Sequence, residues 1–485
     1  MDVVVIETPQ LGDRSYLVHD GSVALVIDPQ RDIDRVEAAA REAGVRITHV
    51  AETHLHNDYV TGGLVLAQQH GAEYLVNAAD QVSFARAPVM DGDTFSVGRL
   101  SVRVVATPGH THTHLAYVVR DETHDGGAEA VFSGGSLLYG SVGRTDLVTP
   151  NDTAALAHAQ YSSVRRLVSS ASPDAALYPT HGFGSFCSIG PASHQDASTL
   201  GEQATSNHAL TDPSEDHFVA ELLANITAYP AYYAHMSPLN AAGPAAADLD
   251  VPESVEPSEL ARRLHDGEWV VDLRHRVAFA EDHLEGSVAF EYGNGSNFTS
   301  YLGWVIPWEQ PLTLLGSHEE VHTAIRDLAR IGIESPDAAV GPATDGRSTG
   351  SQGSRGEEPG RPGGDRSEGP GTSWVGAMAP GVRRRSYPHG DWSLLRQERS
   401  AEDVVLDVRR PDEFLASHVE GALNVPVYEL LHRIPELPAE RIWVHCATGY
   451  RASVAASLLD RAGRDVVLID ARFRDAAGAG IELAR

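Results

Sequence analysis

Two short phrases occur twice in the second half of this chain, and both recur at one offset of 135 residues. Val271-Asp272-Leu273-Arg274 is answered by Leu406-Asp407-Val408-Arg409, and His283-Leu284-Glu285-Gly286 by His418-Val419-Glu420-Gly421. A constant offset means that one supersecondary unit has been laid down twice, so this half must fold as two copies. The copies differ in chemistry. Aligning Gly332 with Gly463 puts Leu315, followed by Gly316-Ser317-His318-Glu319-Glu320, where the second copy has Cys446.

Cys446 is one of only two cysteines in 485 residues. It stands in His445-Cys446-Ala447-Thr448-Gly449-Tyr450-Arg451, directly after an apolar run. A strand that delivers the sulfur and a helix that takes over at about Arg451 would turn successive N–H groups toward it, and this nest with the helix N-terminus favours a thiolate. The ring from Cys446 to Arg451 is shorter than the cradle in which a cysteine phosphatase holds a tetrahedral dianion, so it suits sulfur carried on sulfur. A buried structural cysteine is the plainer alternative, but it accounts for neither Gly449 nor Arg451.

Over about residues 385–485 the chain resembles the rhodanese sulfurtransferases, through Val405-Leu406-Asp407-Val408-Arg409, Glu413-Phe414, His418-Val419-Glu420-Gly421-Ala422 and the Cys446 loop. The resemblance implies a thiosulfate sulfurtransferase in which Cys446 takes up a sulfane sulfur as a persulfide. Arg451 would help to hold the anionic donor, and Gly449 and Tyr450 would line its site. Asp470-Ala471-Arg472-Phe473 departs from the Gly-Gly pair common in such domains, a change at the pocket's rim. The first copy, residues 252–340, is then a rhodanese-like domain that cannot carry a persulfide; a structural platform between two catalytic parts is its expected role, with binding of an anionic metabolite as the alternative.

The first half carries histidines at the ends of apolar runs. Ala51-Glu52-Thr53-His54-Leu55-His56-Asn57-Asp58-Tyr59 follows a strand ending at Val50, Thr107-Pro108-Gly109-His110 follows Leu100–Val105, and Tyr178-Pro179-Thr180-His181-Gly182 follows a third. Histidines two apart at a strand end face one cavity, and Asp58 adds a hard oxygen donor, so the pattern points to a metal site built from loops. His112, His114 and His158 are read as ordinary structural histidines.

These spacings resemble the metallo-β-lactamase fold over about residues 1–200, and Thr53-His54-Leu55-His56-Asn57-Asp58-Tyr59-Val60-Thr61-Gly62 with Gly143-Arg144-Thr145-Asp146 is similar to its persulfide dioxygenase branch. That resemblance implies one Fe(II) per chain, with zinc as the alternative metal, held by two histidines and a carboxylate. The two histidines carry over to His54 and His110. The carboxylate does not: Phe132-Ser133-Gly134-Gly135-Ser136 has Gly135 where the family has aspartate, and Tyr59 replaces a histidine of dinuclear relatives. Three outcomes follow from the sequence: His56, Asp58 or His181 completes the site, water fills the gap, or the domain holds no metal. Arg144 would meet an anionic substrate, and Cys187, after Gly182-Phe183-Gly184-Ser185-Phe186, would relay sulfur or pack as a small buried hydrophobe.

The architecture expected is α/β and multidomain: an αββα sandwich with a helical cap over 1–248, two rhodanese-like domains with parallel sheets over 252–340 and 385–485, and a flexible linker or insertion over 341–384. Gly341–Gly371 is dense in Gly, Ser, Pro, Arg and Glu. A random-coil tether of about 30 residues reaches roughly 30 Å, enough for a Cys446 persulfide to travel. Residues 213–233 form a helical candidate with Leu222, Leu223 and Ile226 on its apolar side.

A net charge of −30, with every one of the 37 basic residues an arginine, argues against nucleic acid and anionic membranes. The acidic start Met1-Asp2 is unlike a signal peptide, and two thiols make no disulfide framework, so a cytoplasmic protein is expected. Its partners would be a low-molecular-weight thiol persulfide and sulfite or thiosulfate, and relatives of this architecture often self-associate. The function expected is oxidation of the persulfide to sulfite coupled to sulfur transfer through Cys446. The alternatives are a sulfurtransferase with a metal-free first half and a thioester hydrolase of the glyoxalase type.

Overall fold

The computed structural model describes residues 1–123, 127–190, 193, 195–293, 297–341 and 374–485. Two compact units emerge: Met1–Leu249 with Gly295–Glu309 and Ile325–Ser335, and Asp250–Asn294 with Gln310–Ala324 and Pro336–Arg485. The division therefore cuts through the span 252–340 that the sequence suggested as one domain.

The first unit is the expected αββα sandwich. One sheet runs Asp2–Thr8, Asp13–His19, Val23–Ile27, Arg46–Ala51, Glu73–Asn77, Ala87–Val89 in spatial order, antiparallel over its first three strands and parallel thereafter. The second sheet is ordered Ala176–Pro179, Glu129–Gly134, Leu115–Asp121, Leu100–Ala106, Thr94–Val97. Strand alternation sorts the side chains into three layers of core. Tyr16, Val18, Leu25 and Ile27 meet Val102, Val104, Tyr117 and Phe132 between the sheets. Leu17, Ala24 and Val26 face Val36, Ala40 and Leu66 of the helices Asp34–Ala43 and Gly63–His70. Val105, Ala116 and Val131 face Ala157, Val164 and Leu167 of the helix Thr153–Val168. Strand ends of both sheets thus open at one edge, where the histidine loops lie.

The helical candidate over 213–233 is shorter than expected. It spans Glu215–Ala224, capped by the Ser214 hydroxyl, and ends where Asn225 takes the free carbonyls of Glu221 and Leu222; a separate helix covers Tyr233–Ala242. Leu222 is buried and Leu223 and Ile226 pack beside it.

In the second unit the repeat is explicit. The first copy has four parallel strands ordered Val288–Ala289, Trp269–Asp272, Leu312–Gly316, Asp337–Val340, and the second has five ordered His389–Gly390, Val466–Ile469, Ile442–His445, Val404–Asp407, Leu423–Asn424. Each copy buries the same clamp: Arg274 grips Asp272 through Nη2 at 2.6 Å, and Arg409 grips Asp407 at 2.6 Å. Register corrects one alignment. Asp272 pairs with Leu315 as Asp407 pairs with His445, so Gly316, not Leu315, stands at the Cys446 position. The absence of a thiol is unaffected.

The expected linker over 341–384 also changes. Most of it lies outside the described residues, but its last part is folded: Val375 and Ala379, in and after the helix Val375–Met378, are buried with Leu260, Leu284 and Leu315, and Arg384–Arg385 pairs with His283–Leu284. Leu483–Ala484 makes the same pairing with His418–Val419 in the second copy. The apolar Trp374–Ala379 phrase therefore closes the first copy. Among the described residues no helix is long and apolar enough to cross a membrane.

Candidate functional site

His54, His110 and His181 converge. All three are buried, and one ring nitrogen from each lies within 4.8 Å of the others. Every Nδ1 has a partner. His54 Nδ1 lies 2.9 Å from Thr53 Oγ1, whose proton goes to Asp28; His110 Nδ1 donates to the Arg144 carbonyl at 2.7 Å; His181 Nδ1 lies 2.8 Å from Asp13 and 3.1 Å from Asp58. Every Nε2 is buried without one. Anchored Nδ1 atoms fix the tautomer and aim the remaining lone pairs, the arrangement metal-ligating histidines use. Burial, with neighbouring His56 and His114 for one and His181 and His114 for the other, holds His54 and His110 well below the ordinary imidazole range, so both are neutral donors. Burial works the other way on His181, but Asp58 and Asp13 override it and favour positive charge there, of a proton or a metal.

Gly135 leaves no room for the missing carboxylate. A Cβ at this position would lie 2.3 Å from His110 Cδ2 and 2.6 Å from its Nε2, while the Gly135 N–H donates to His114 Nε2 at 2.9 Å. The imidazole of His110 occupies the space an aspartate would need. His114 is structural, as the sequence suggested, with Nδ1 on Thr107; His158 is exposed beside Glu215; His112 instead lines a cavity.

His56 and Asp58 lie beside the trio. His56 Nε2 is 2.9 Å from the Tyr59 hydroxyl and 3.2 Å from Asp28, and its ring stacks on Tyr59. Burial opposes charge on His56, yet Asp28 and Glu52 push it up to about 9. His56 Nδ1 and Asp58 Oδ1 make no hydrogen bond and lie 3.9 Å apart, and with His181 they form a second possible donor group.

Two residues that the sequence reading passed over hold this centre together. Asp28, in the left-handed region at φ 52°, accepts from the Thr53 N–H and from the Thr53 and Thr180 hydroxyls, tying three loops to one carboxylate. Asp13 orients His181. Both stand at strand ends, the only signal the sequence offered. A cavity of about 530 Å³ is lined by Leu55, Asn57 and Thr111, the chain neighbours of the histidines, and by Asp80, Tyr229 and Tyr233.

Arg144 departs from expectation, and Cys187 has the surroundings of the second of its two readings, a small buried side chain. The Arg144 guanidinium is buried, clamped by Asp146, donating to the carbonyls of Phe186 and Thr227 and lying over Tyr229, so it fastens loops and is not presented to an anionic substrate. Cys187 is buried with Sγ 3.8 Å from the Tyr233 hydroxyl, and burial pushes its thiol up, the behaviour of a packed side chain.

The Cys446 loop has the expected form. The strand Ile442–His445 delivers the sulfur, Gly449 sits at φ 101°, and the helix Tyr450–Arg461 begins at once. The Gly449 N–H points at Cys446 Sγ, 3.1 Å away. Arg451 has a partner that the sequence did not suggest: its terminal nitrogens meet both Glu413 oxygens at 2.6 and 2.8 Å, fastening the helix start to the helix Pro411–Ala416. Tyr450 provides the first helical residue. His445 is wedged between Trp392 and Phe473, and burial lowers it to about 4, leaving a neutral ring under the loop.

Comparison with known proteins agrees with both halves. Residues 11–182 match the metallo-beta-lactamase superfamily, and residues 391–475 match the rhodanese-like domain. The hydroxyacylglutathione hydrolase of Rhizobium johnstonii is 35% identical over 137 residues, 27% of this chain and 52% of that protein, so the chain spans about half the length of this relative. The mitochondrial persulfide dioxygenase ETHE1 of Homo sapiens is 29% identical over 210 residues, 42% of this chain and 72% of that protein. A crystal structure of a metallo-beta-lactamase from Staphylococcus aureus subsp. aureus COL superimposes with a TM-score of 0.63 at 26% identity, over 70% of this chain and 98% of that chain. With histidine loops on an αββα frame and a cysteine loop on a repeated parallel sheet, the chain joins a metallo-β-lactamase domain that has persulfide dioxygenase homologues to a C-terminal rhodanese-like domain.

Proposed function

We propose that the protein oxidises a low-molecular-weight thiol persulfide to sulfite at a mononuclear centre held by His54, His110 and His181, and passes sulfane sulfur through Cys446. The observation that carries the first part is the convergence of three buried, unpartnered Nε2 atoms whose Nδ1 partners are all in place. In this reading His181 supplies the third donor that Gly135 cannot. Iron bound there would supply the redox chemistry of dioxygen activation.

The protein's own groups then have defined work. Thr53, the Arg144 carbonyl and the Asp13–Asp58 pair keep the three donor atoms aimed. The cavity beside them, about 530 Å³, has the volume of a small-ligand site. Persulfide, dioxygen and one water give thiol, sulfite and two protons, the sulfane sulfur losing the four electrons that dioxygen gains. At the second site, Cys446 thiolate attacks a donor's sulfane sulfur, forming one S–S bond as the donor's breaks. Sulfite then attacks the outer sulfur, releasing thiosulfate and restoring the thiolate. The Gly449 N–H points at the Cys446 sulfur, and the helix Tyr450–Arg461 begins directly after Gly449.

A thioester hydrolase is the second reading, favoured by the hydroxyacylglutathione hydrolase match. Tyr59 and Gly135 weigh against it, because both take the place of ligands in dinuclear hydrolases. The deciding experiment loads anaerobically purified protein with Fe(II), measures bound iron by elemental analysis, and follows oxygen uptake with glutathione persulfide. Stoichiometric iron with sulfite release supports the proposal. Iron without oxygen uptake, alongside hydrolysis of S-lactoylglutathione, would replace it with the hydrolase.

A further inference from the structure

In the copy without a thiol, Arg276 opens the helix Arg276–Glu281 and its guanidinium bridges two carboxylates. Nε donates to Asp470 Oδ1 and Nη1 to Glu291 Oε2, both at 2.6 Å. Asp470 belongs to the other copy, directly after the strand Val466–Ile469. The same Oδ1 presses on the cysteine loop: a Cβ added to Gly449 would lie 2.2 Å from it and 3.2 Å from Arg276 Nε. Gly449 is the residue whose N–H reaches Cys446 Sγ at 3.1 Å. A chain of contacts therefore runs from Arg276 through Asp470 and Gly449 to the sulfur.

The first copy also holds the other end of the helix that the loop begins. His283 Nε2 lies 3.1 Å from Asp460 Oδ2, Arg385 meets Asp460 Oδ1 at 2.7 Å, and Arg461 donates to the carbonyls of Gly267 and Gly286 at 2.6 and 2.8 Å. The helix Tyr450–Arg461 is thus gripped at both ends by the copy that has no cysteine.

A surface ion pair contributes about 0–1 kcal/mol and needs no function. The Arg276–Asp470 pair is different in place and burial: the side chains are 21% and 18% exposed, and the carboxylate lies against the backbone that must tolerate a thiolate and an anionic sulfur donor. An uncompensated Asp470 would repel both.

We propose that Arg276 is a positioning residue of the Cys446 site, supplied by the thiol-free copy: by neutralising Asp470 against Gly449 it keeps the Gly449 N–H on the sulfur and the loop receptive to an anionic donor. The donor clause rests on the sulfur-transfer reading; the loop clause does not. The thiol-free copy thereby acquires a role beyond that of a platform.

The test uses the full chain and compares wild type, Arg276→Ala, Arg276→Lys and the double variant Arg276→Ala/Asp470→Asn. Three quantities are read: the alkylation rate of Cys446 by iodoacetamide, followed on its peptide by mass spectrometry; kcat and KM for thiosulfate with cyanide as acceptor; and Tm. Arg276→Ala is expected to slow alkylation and lower kcat/KM roughly tenfold, with KM for thiosulfate carrying much of the loss. Arg276→Lys should retain much of the wild-type rate, and the double variant should recover most of what the single one lost, since no charge then needs neutralising. Unchanged rates in folded Arg276→Ala, or an equal loss in the double variant, overturn the proposal. If wild type transfers no sulfur yet its alkylation responds to Arg276 as described, the sulfur-transfer reading fails and the loop assignment stands.

Discussion

His181 stands beside His54 and His110, where Gly135 offers no donor. A carboxylate at 135 would have to displace the His110 ring, so Gly135→Asp is expected to lose iron and not to restore a two-histidine, one-carboxylate site. Elemental analysis and Tm of that variant check this. His181→Ala and His110→Ala should each abolish stoichiometric iron, whereas His56→Ala, whose Nε2 is already engaged by Tyr59 and Asp28, should keep it. Asp13→Asn removes an orienting partner of His181 and should weaken metal affinity about 10–100-fold, read by competition with a chelator. Such partners were invisible from the sequence because Asp13 lies 168 residues from His181, and only sheet closure brings them together.

At the scale of the element, the two strands that end in Asp272 and Asp407 show how a repeat can be read from physics. Each carboxylate is fully buried and each is clamped by the arginine two residues on, so the phrase records a folding requirement of the strand end. Arg409→Ala leaves Asp407 buried without its ion-pair partner and should cost about 3–5 kcal/mol, measured by urea unfolding. It also removes the guanidinium that stacks on Phe473, 3.7 Å from the ring centroid. The cysteine loop, similarly, was legible because strand, glycine and helix are local signals. Its partners were not: Glu413 on Arg451 and Asp470 on Gly449 come from elements that only the fold sets beside it.

For the whole molecule, the histidine site and the Cys446 loop, and with them the two proposed chemistries, belong to different compact units. Chelation of the loaded protein should therefore stop oxygen uptake while thiosulfate:cyanide transfer continues, and Cys446→Ser should do the reverse. Assaying both activities on each sample tests this, and loss of both from either treatment would contradict it. The charge of −30 makes a further expectation simple: no retention on heparin or DNA columns even at low salt.

The sequence by itself determined the pattern of strands, the repeat, and the placing of histidines and a cysteine at strand ends, because period-two burial and short loop signals act over a few residues. It also determined that Gly135 brings no ligand. Only the tertiary structure places a third buried imidazole beside His54 and His110, since His181 reaches them through the closing of two sheets on one edge. It decided too that Arg144 and Cys187 point inward, that Gly316 rather than Leu315 answers Cys446, and that residues 374–385 complete the first copy. These are matters of register and of which distant groups satisfy a buried charge, and hydrogen-bond closure fixes them only when the whole sheet is assembled.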